Sequence, residues 1–287
     1  MNNLRPLPPE HAAKKKRFAF TAANAGVALL LVGLLLGIAL LLLLPRLQET
    51  KSRQQLDEGI TVLEQSLRDS VNSTNAVPPS TAALDKFIAS AQAAIKNLKG
   101  AEAVAMQAGL SYFAKLKTET EIYTKAVDAL QKADILNGDL IKTKEQLAPR
   151  RKVVQAFLDA NRQFQEFVRD SDKHFEIELK TRLSNPADIT KAMDGFHKGN
   201  SRNAVLLKIR DTDERIGKGL LGTLDLIDQQ WGQWKFDAKK DEFIFQDAEA
   251  AKKYAALQKE SDDAAEEQAA LQRQLVNSLD TKNAGAR

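Results

Sequence analysis

Three ionisable side chains near the middle of the chain have a spacing that suits a metal site. Asp170, His174 and Glu178 follow one another at intervals of four residues, so a continuous helix would carry all three on one face, where they could bind a divalent metal. The same spacing is typical of ion pairs along a solvated helix face. Because the chain has only three His and no second one lies near this trio in sequence, we interpret it as an ion-paired surface and predict no metal site.

The sequence contains none of the motifs that usually mark a catalytic centre. It lacks G-x-S-x-G, H-E-x-x-H and a glycine-rich loop between a strand and a helix. It also has no Cys, which excludes thiol chemistry, disulfides and Cys-ligated metals. Gly217, Gly219 and Gly222 lie within an amphipathic segment, where a close helix crossing explains them better than phosphate binding. We therefore predict a protein without catalytic residues, enzymatic activity or cofactors.

An aromatic cluster is the one local feature of the second half that composition does not lead one to expect. Both tryptophans of the chain lie three residues apart, and three phenylalanines follow within eleven residues. Around a short polar stretch this pattern predicts a β-hairpin over 231–246. The aromatic side chains either form an anchor for a protein, peptide or glycan or close the end of a helical bundle, and we favour the second interpretation. The candidate residues are Trp231, Trp234, Phe236, Phe243 and Phe245.

The N-terminal part predicts a single transmembrane helix over 18–44. Ala25 to Leu44 is a run of twenty residues without a polar side chain, about the length that crosses the hydrocarbon core of a bilayer. The run is longer than the apolar region of a signal peptide, and it ends in leucines followed by Pro45 rather than in small residues. We therefore expect the segment to be retained as an anchor.

The charges on either side of this segment predict its orientation. Residues 1–17 carry five Lys and Arg, whereas the twenty residues after the run carry three. Basic residues favour the cytoplasmic side, so we predict a cytosolic tail over 1–17. The C-terminal part would then lie in the periplasm or outside the cell, with the anchor in a bacterial inner membrane.

Three glycines of the apolar run are candidates for packing between transmembrane helices. Gly33 and Gly37 form a G-x-x-x-G pair, and Gly26 precedes Gly33 by seven residues. Small residues at this spacing allow two helix backbones to approach closely. Glycine is also frequent in such helices by chance, so the pair makes self-association a hypothesis to test.

The excess of positive charge belongs to the N-terminal part alone. The whole chain has a formal charge of +4. Residues 1–44 hold five basic residues and one acid, and the remainder holds 37 of each sign. A part with no net charge gives no electrostatic footprint for nucleic acid. We therefore expect a membrane and a protein partner or second copy, and no nucleic acid.

The remaining pattern predicts an all-α fold: the transmembrane helix followed by an elongated antiparallel helical bundle with the small aromatic hairpin. Leu56, Ile60 and Leu63 share a helical face, and residues 45–79 are interpreted as a juxtamembrane helix and loop. The extracytoplasmic helical domain covers 80–287. Within it we expect one helix over 150–183 and a final helix over 247–279, both with heptad spacing.

Two functions are compatible with this architecture. The first is a membrane-anchored, non-enzymatic interaction or scaffolding protein of the cell envelope that self-associates. The alternative is an extracytoplasmic ligand-binding or sensing module that acts with a separate signalling or transport partner. A closed apolar core with an exposed apolar stripe would favour the scaffold, and a polar pocket between helices would favour the binding module.

Overall fold

The computed structural model describes residues 50–72, 82–199 and 203–284, and it is mostly helical with one small antiparallel hairpin, as predicted. Two short 3-10 turns, Gly138–Leu140 and Lys144–Gln146, connect the third and fourth helices. The helices are α1 Thr50–Asn72, α2 Ala82–Ile95, α3 Gly100–Lys132, α4 Leu147–Arg169, α5 Ser171–Lys180, α6 Pro186–Gly199, α7 Asn203–Gln229 and α8 Ala248–Ala284; the strands are β1 Trp234–Asp237 and β2 Glu242–Phe245.

In the part of the chain that the structure describes, every helix is too short or too polar to cross a bilayer. The predicted transmembrane segment 18–44 lies outside the described residues, together with its candidate packing glycines Gly26, Gly33 and Gly37. The cytosolic tail predicted over 1–17 also lies outside them.

Helices α1 and α2 form an antiparallel pair. The predicted stripe of α1, Leu56, Ile60 and Leu63, is buried. The Ser52 hydroxyl near the start of α1 donates to the Ala94 carbonyl near the end of α2, at 3.2 Å, which fixes the antiparallel arrangement. α3 begins five residues after α2 ends, so its N-terminus lies near the start of α1.

Helices α3, α4, α7 and α8 form the main bundle, and α5 and α6 pack against the first half of α3. Tyr112 of α3 is the centre of an aromatic cluster that joins these elements. Its ring stacks on Phe167 of α4 at 5.5 Å and meets Phe196 of α6 edge-on at 5.4 Å. Phe175 of α5 stacks in turn on Phe196 at 4.3 Å. Rings at these distances contribute both buried area and favourable geometry.

The single helix predicted over 150–183 is wrong, because the chain breaks at Asp170. This residue has φ −90° and ψ 16°, outside the helical range, and separates α4 from α5. Short polar side chains such as Asp170 and Ser171 compete for backbone hydrogen bonds and favour helix ends. The break turns α5 so that Phe175 reaches the Tyr112 cluster.

The predicted aromatic hairpin is confirmed. β1 pairs with β2 so that Trp234 lies opposite Phe245 and Phe236 opposite Phe243. Side chains alternate between the two faces of a strand, so one face of the hairpin is entirely aromatic. In the loop, the Asp237 carboxylate accepts hydrogen bonds from the backbone N–H groups of Lys239 and Lys240. The carboxylate of Asp247 caps α8 by accepting the Ala250 N–H at 2.8 Å.

Candidate functional site

The aromatic face of the hairpin packs on the end of the bundle. Phe243 and Phe245 are buried, whereas Trp231, Trp234 and Phe236 are half-buried. The Trp234 ring meets both Trp231 and Phe243 edge-on, at 5.7 and 5.2 Å. Its indole Nε1 donates to the Ile227 carbonyl at 3.1 Å. The candidate residues therefore lie together, and they face the protein.

Two further contacts fix the hairpin in place. The Tyr254 hydroxyl of α8 accepts a hydrogen bond from the Phe243 N–H at 3.3 Å, so the outer edge of β2 is tied to the bundle. Gly138 lies directly against the Phe236 ring, where a Cβ atom would collide with it. Only a residue without a side chain permits this approach. The opposite face of the hairpin bears exposed Lys235 and Ile244.

The residues of the considered metal trio make separate contacts. The His174 ring stacks on Phe167 at 4.7 Å, and the Glu178 carboxylate pairs with Lys115 at 2.7 Å and with Arg182 at 3.2 Å. The hydrogen bond from Lys115 lowers the pKa of Glu178. Asp170 lies at the break between α4 and α5. Among the described residues, no three His, Cys, Asp or Glu side chains are grouped so that they could hold a metal ion.

The glycines of α7 lie at close helix crossings, as predicted. A Cβ at Gly217 would lie 2.5 Å from Leu158 Cδ2 of α4. On the other side of α7, a Cβ at Gly219 would collide with the Ser261 hydroxyl, and one at Gly222 would lie 2.9 Å from Leu257 Cδ2. α7 is thus held closely by α4 on one side and by α8 on the other.

An open cavity of about 340 Å³ lies beside the hairpin, at the end of the bundle that is remote from the start of α1. Its apolar part includes Leu130 of α3, Ile216 and Leu220 of α7, all buried. The rest of the lining is mainly polar, apart from Ile135 and Leu136, and comes from the end of α3 and the residues after it, the hairpin and α8. These residues are Gln131, Asp134, Ile135, Leu136, Asn137, Lys240, Asp241, Glu242, Tyr254, Gln258 and Asp262.

The charges around this cavity are mostly negative. Four carboxylates line it, against the single ammonium group of Lys240, whose Nζ lies 3.7 Å from Glu242 Oε1. The carboxylates come from separate elements, since Asp134 follows α3, Asp241 lies in the hairpin loop and Asp262 is on α8. Burial, supported by the charges of Glu242 and Asp241, raises the pKa of Tyr254 to about 12. The cavity therefore combines an apolar floor with an anionic rim.

A second polar feature, a charged network, is closed off inside the bundle. Arg210 and Asp213 of α7 are 1% and 0% exposed, and Arg210 Nη2 lies 3.1 Å from Asp213 Oδ2. The same carboxylate accepts the Tyr123 hydroxyl of α3 at 2.8 Å and Gln268 Nε2 of α8 at 2.5 Å. Asn161 of α4 donates to the Arg210 carbonyl at 2.9 Å. The network thus joins all four helices of the main bundle.

Burial and neighbouring charges shift the pKa values of two residues in this network. The Arg210 guanidinium lies over the Tyr123 ring, 4.2 Å from its centroid, in a favourable cation–π position. Burial raises the pKa of Tyr123 well above its usual value. Burial also raises the pKa of the Asp213 carboxyl, and the Arg210 cation opposes that rise. The nitrogens Nη1 and Nη2 of Arg210 and the oxygen Oδ1 of Asn161 have no hydrogen bond of good geometry.

Sequence reasoning missed both the network and the cavity, although one signal was present. Asp213 follows Ile209 by four residues and precedes Ile216 by three, so it occupies the apolar stripe of α7. A charged residue in such a stripe indicates a buried partner. Nε2 of His197 on α6 lies 3.5 Å from the Asp172 carboxylate of α5.

Comparison with known proteins adds no relative to this chain: no family model, no curated protein and no solved structure matches it.

Proposed function

We propose that this protein is a membrane-anchored, non-enzymatic binding module of the cell envelope that takes a cationic ligand into the cavity beside the hairpin. The observation that carries the proposal is the cavity itself. Its volume of about 340 Å³ falls in the range of small-molecule sites, which are concave and combine an apolar surface with a few polar groups.

The lining favours an elongated organic cation. Carboxylates at Asp134, Asp241 and Asp262 surround a floor of aliphatic side chains. A polyamine, or the side chain of Lys or Arg from a partner, has spaced positive charges on a methylene chain, which complements both parts of this lining. A ligand of this kind would pair its charges at the rim and bury its methylene groups on the floor.

The proposed anchor would present the cavity away from the membrane. The predicted span ends at residue 44, and α1 begins at Thr50. α3 starts near the beginning of α1 and extends for 33 residues towards the cavity, a length of about 50 Å at 1.5 Å per residue. The binding end would therefore reach well beyond the headgroup region into the periplasm or the exterior.

The scaffolding hypothesis remains as a second candidate, favoured by the G-x-x-x-G pair of Gly33 and Gly37. The described surface favours it less, because large apolar side chains are exposed singly. They lie on four separate elements rather than along one stripe: Ile122, Leu140, Ile177 and Ile244. An in-membrane association assay tests this candidate, since Gly33→Ile should weaken self-association if the pair is used.

A titration of the intact chain in detergent with spermidine tests the binding proposal. We expect saturable heat release from a single site, which weakens with increasing salt because the attraction is electrostatic. Asp134→Asn combined with Asp262→Asn should weaken the affinity by about tenfold or more, because each substitution removes a charge from the rim. Asn tolerates the left-handed conformation of Asp134, whose φ is 44°.

The matched control is Glu249→Gln combined with Glu266→Gln, which removes two negative charges from α8 outside the cavity lining. Its affinity for spermidine should equal that of the unmodified chain. Absence of saturable binding, or an equal loss in the control and the double variant, would show that the cavity does not recognise cations.

A further inference from the structure

The second half of α8 is attached to the bundle by an unusually polar inner face. Between Gln258 and Leu275, the buried polar side chains of this helix are Ser261, Gln268 and Gln272, whereas Ala264 and Leu275 are the fully buried apolar ones and Leu271 is partly buried against the core. The amide nitrogen of Gln272 is buried without a hydrogen bond. A buried amide of this kind costs free energy, and a buried Ala contributes little apolar area.

The facing surface of α7 is different in kind. Its buried side chains include Leu206, Ile209, Ile216 and Leu220, but directly opposite Ser261 it presents the backbone of Gly219. Ion pairs at the surface add to the contact between the two helices: Arg215 pairs with Glu260 at 2.6 Å and with Glu267 at 2.5 Å. Ion pairs this exposed contribute little to stability.

This part of α8 covers the charged network around Arg210 and Asp213. Gln268 donates to Asp213 Oδ1 from the α8 side, and Asp213 and Arg210 are both shielded from solvent. Water reaching these groups would restore much of the hydration that burial removes. In the closed arrangement, a helix segment with little buried apolar area therefore covers Asp213 and Arg210, and the hydration of these two groups would improve if the segment opened.

From these contacts we infer that α8 from Ser261 onwards is a strap that detaches locally while the rest of the bundle stays folded. Detachment exposes Asp213, Arg210 and the Tyr123 hydroxyl as a polar groove between α3 and α7. Local opening of this kind occurs where buried apolar contacts are few. The inference concerns the closed core and does not depend on what binds in the cavity.

Thiol labelling of single cysteines tests the strap, since the chain has no Cys of its own. Ala264 on α8 and Ala108 on α3 are both 0% exposed. In the intact chain under native conditions, we expect Ala264→Cys to be labelled at least about tenfold faster than Ala108→Cys, because only the first becomes accessible by local opening. Hydrogen exchange of the unmodified chain, comparing amides of 263–275 with those of 154–168, gives the same comparison without a substitution.

A matched pair of substitutions identifies the cause of the opening. Gln272→Leu replaces the unsatisfied buried amide with an apolar side chain and should slow labelling of Ala264→Cys by about fivefold or more. Gln274→Leu makes the same change on the exposed face of α8 and should leave the rate unchanged. Equal labelling of the two cysteines, or a rate that Gln272→Leu does not alter, overturns the strap.

Discussion

Helix α7 is buried on two sides, and the two sides are built differently. Towards α4 it packs against Phe157 and Leu158, with Gly217 allowing the close approach. Towards α8 it meets Ser261 and Gln268, and Gln268 donates to Asp213 of the charged network. We call these contacts the apolar seam and the polar seam. The difference shows that two equally buried contacts need not stabilise the fold equally. Buried apolar area is stabilising, whereas the hydrogen bonds of buried polar groups largely offset the hydration that these groups lose.

The polar seam also leads to the cavity. Ile216 and Leu220 of α7 lie one and two turns beyond Asp213, and they form the cavity floor together with Leu130 of α3, next to the rim residues of α8. The apolar seam adjoins a smaller cavity of about 280 Å³ near the start of α7, lined in part by Val168 and Arg169 of α4 and by Asn203 and Leu207 of α7. Because the larger of these two cavities adjoins the polar seam, we associate the proposed function with that side of α7.

The largest expected effect is the loss of one partner from the polar seam. Asp213→Ala leaves the Arg210 cation buried without its carboxylate and should lower the free energy of unfolding by about 3–5 kcal/mol. Denaturant unfolding of the intact chain measures this change. As a control, Arg210→Met combined with Asp213→Leu should be far less destabilising, because it removes both charges together. A double variant as unstable as Asp213→Ala would contradict this interpretation of the seam.

At the end of the bundle, the aromatic hairpin is held mainly by apolar packing, as the apolar seam is. Truncation of one of its tryptophans should therefore lower the stability by a smaller but measurable amount. Trp234 packs against Phe243 and donates to Ile227, so Trp234→Ala should cost about 2–3 kcal/mol, less than for a fully buried aromatic residue. Trp231 makes fewer contacts of this kind, so Trp231→Ala should lower the free energy of unfolding by less. Thermal unfolding checks both; unchanged melting in both variants would favour the exposed-anchor interpretation instead.

Alanine substitutions at two glycines compare the seams directly. At Gly217 a Cβ meets the buried side chain of Leu158 in the apolar seam, and overpacking there should cost about 1–3 kcal/mol. At Gly222 the Cβ meets the half-buried end of Leu257, which can move aside, so the cost should be below about 1 kcal/mol. The reverse order in unfolding experiments would mean that the polar seam is the more rigid one.

The smallest expected effect is a pH dependence outside both seams. Lys115 lowers the pKa of Glu178, so this pair stabilises the fold above the carboxyl pKa of the unfolded chain. The contribution disappears as the pH falls through the lower pKa of the folded state. Lys115→Met should therefore reduce stability at pH 7 by less than about 1 kcal/mol and have no effect at strongly acidic pH. A loss that persists in acid would point to packing rather than charge.

Local sequence signals predicted the helices and the hairpin, because both arise from side-chain periodicity. Trp234 and Phe236 before a short polar loop, and Phe243 and Phe245 after it, recur at every second residue, which is the period of a strand. The same reasoning missed the break at Asp170, since the apolar heptad continues through it to Phe175.

The charged network and the cavity depend on contacts that no local pattern contains. Asp213 meets Tyr123, 90 residues earlier, and Gln268, 55 residues later. The cavity is formed where the end of α3, the hairpin loop and α8 come together. Periodicity places each residue on a helix face, but the partner on another helix follows only from the packed arrangement.

Isoleucine methyl spectra of the intact chain, recorded during a spermidine titration, test the central claim most directly. Ile135 and Ile216 line the cavity, whereas Ile177 on α5 and Ile60 on α1 lie elsewhere. If the cavity binds spermidine, Ile135 and Ile216 should show saturable shifts, with no change at Ile60 and Ile177. Shifts that spare the two cavity residues, or that spread equally over all four, would contradict it.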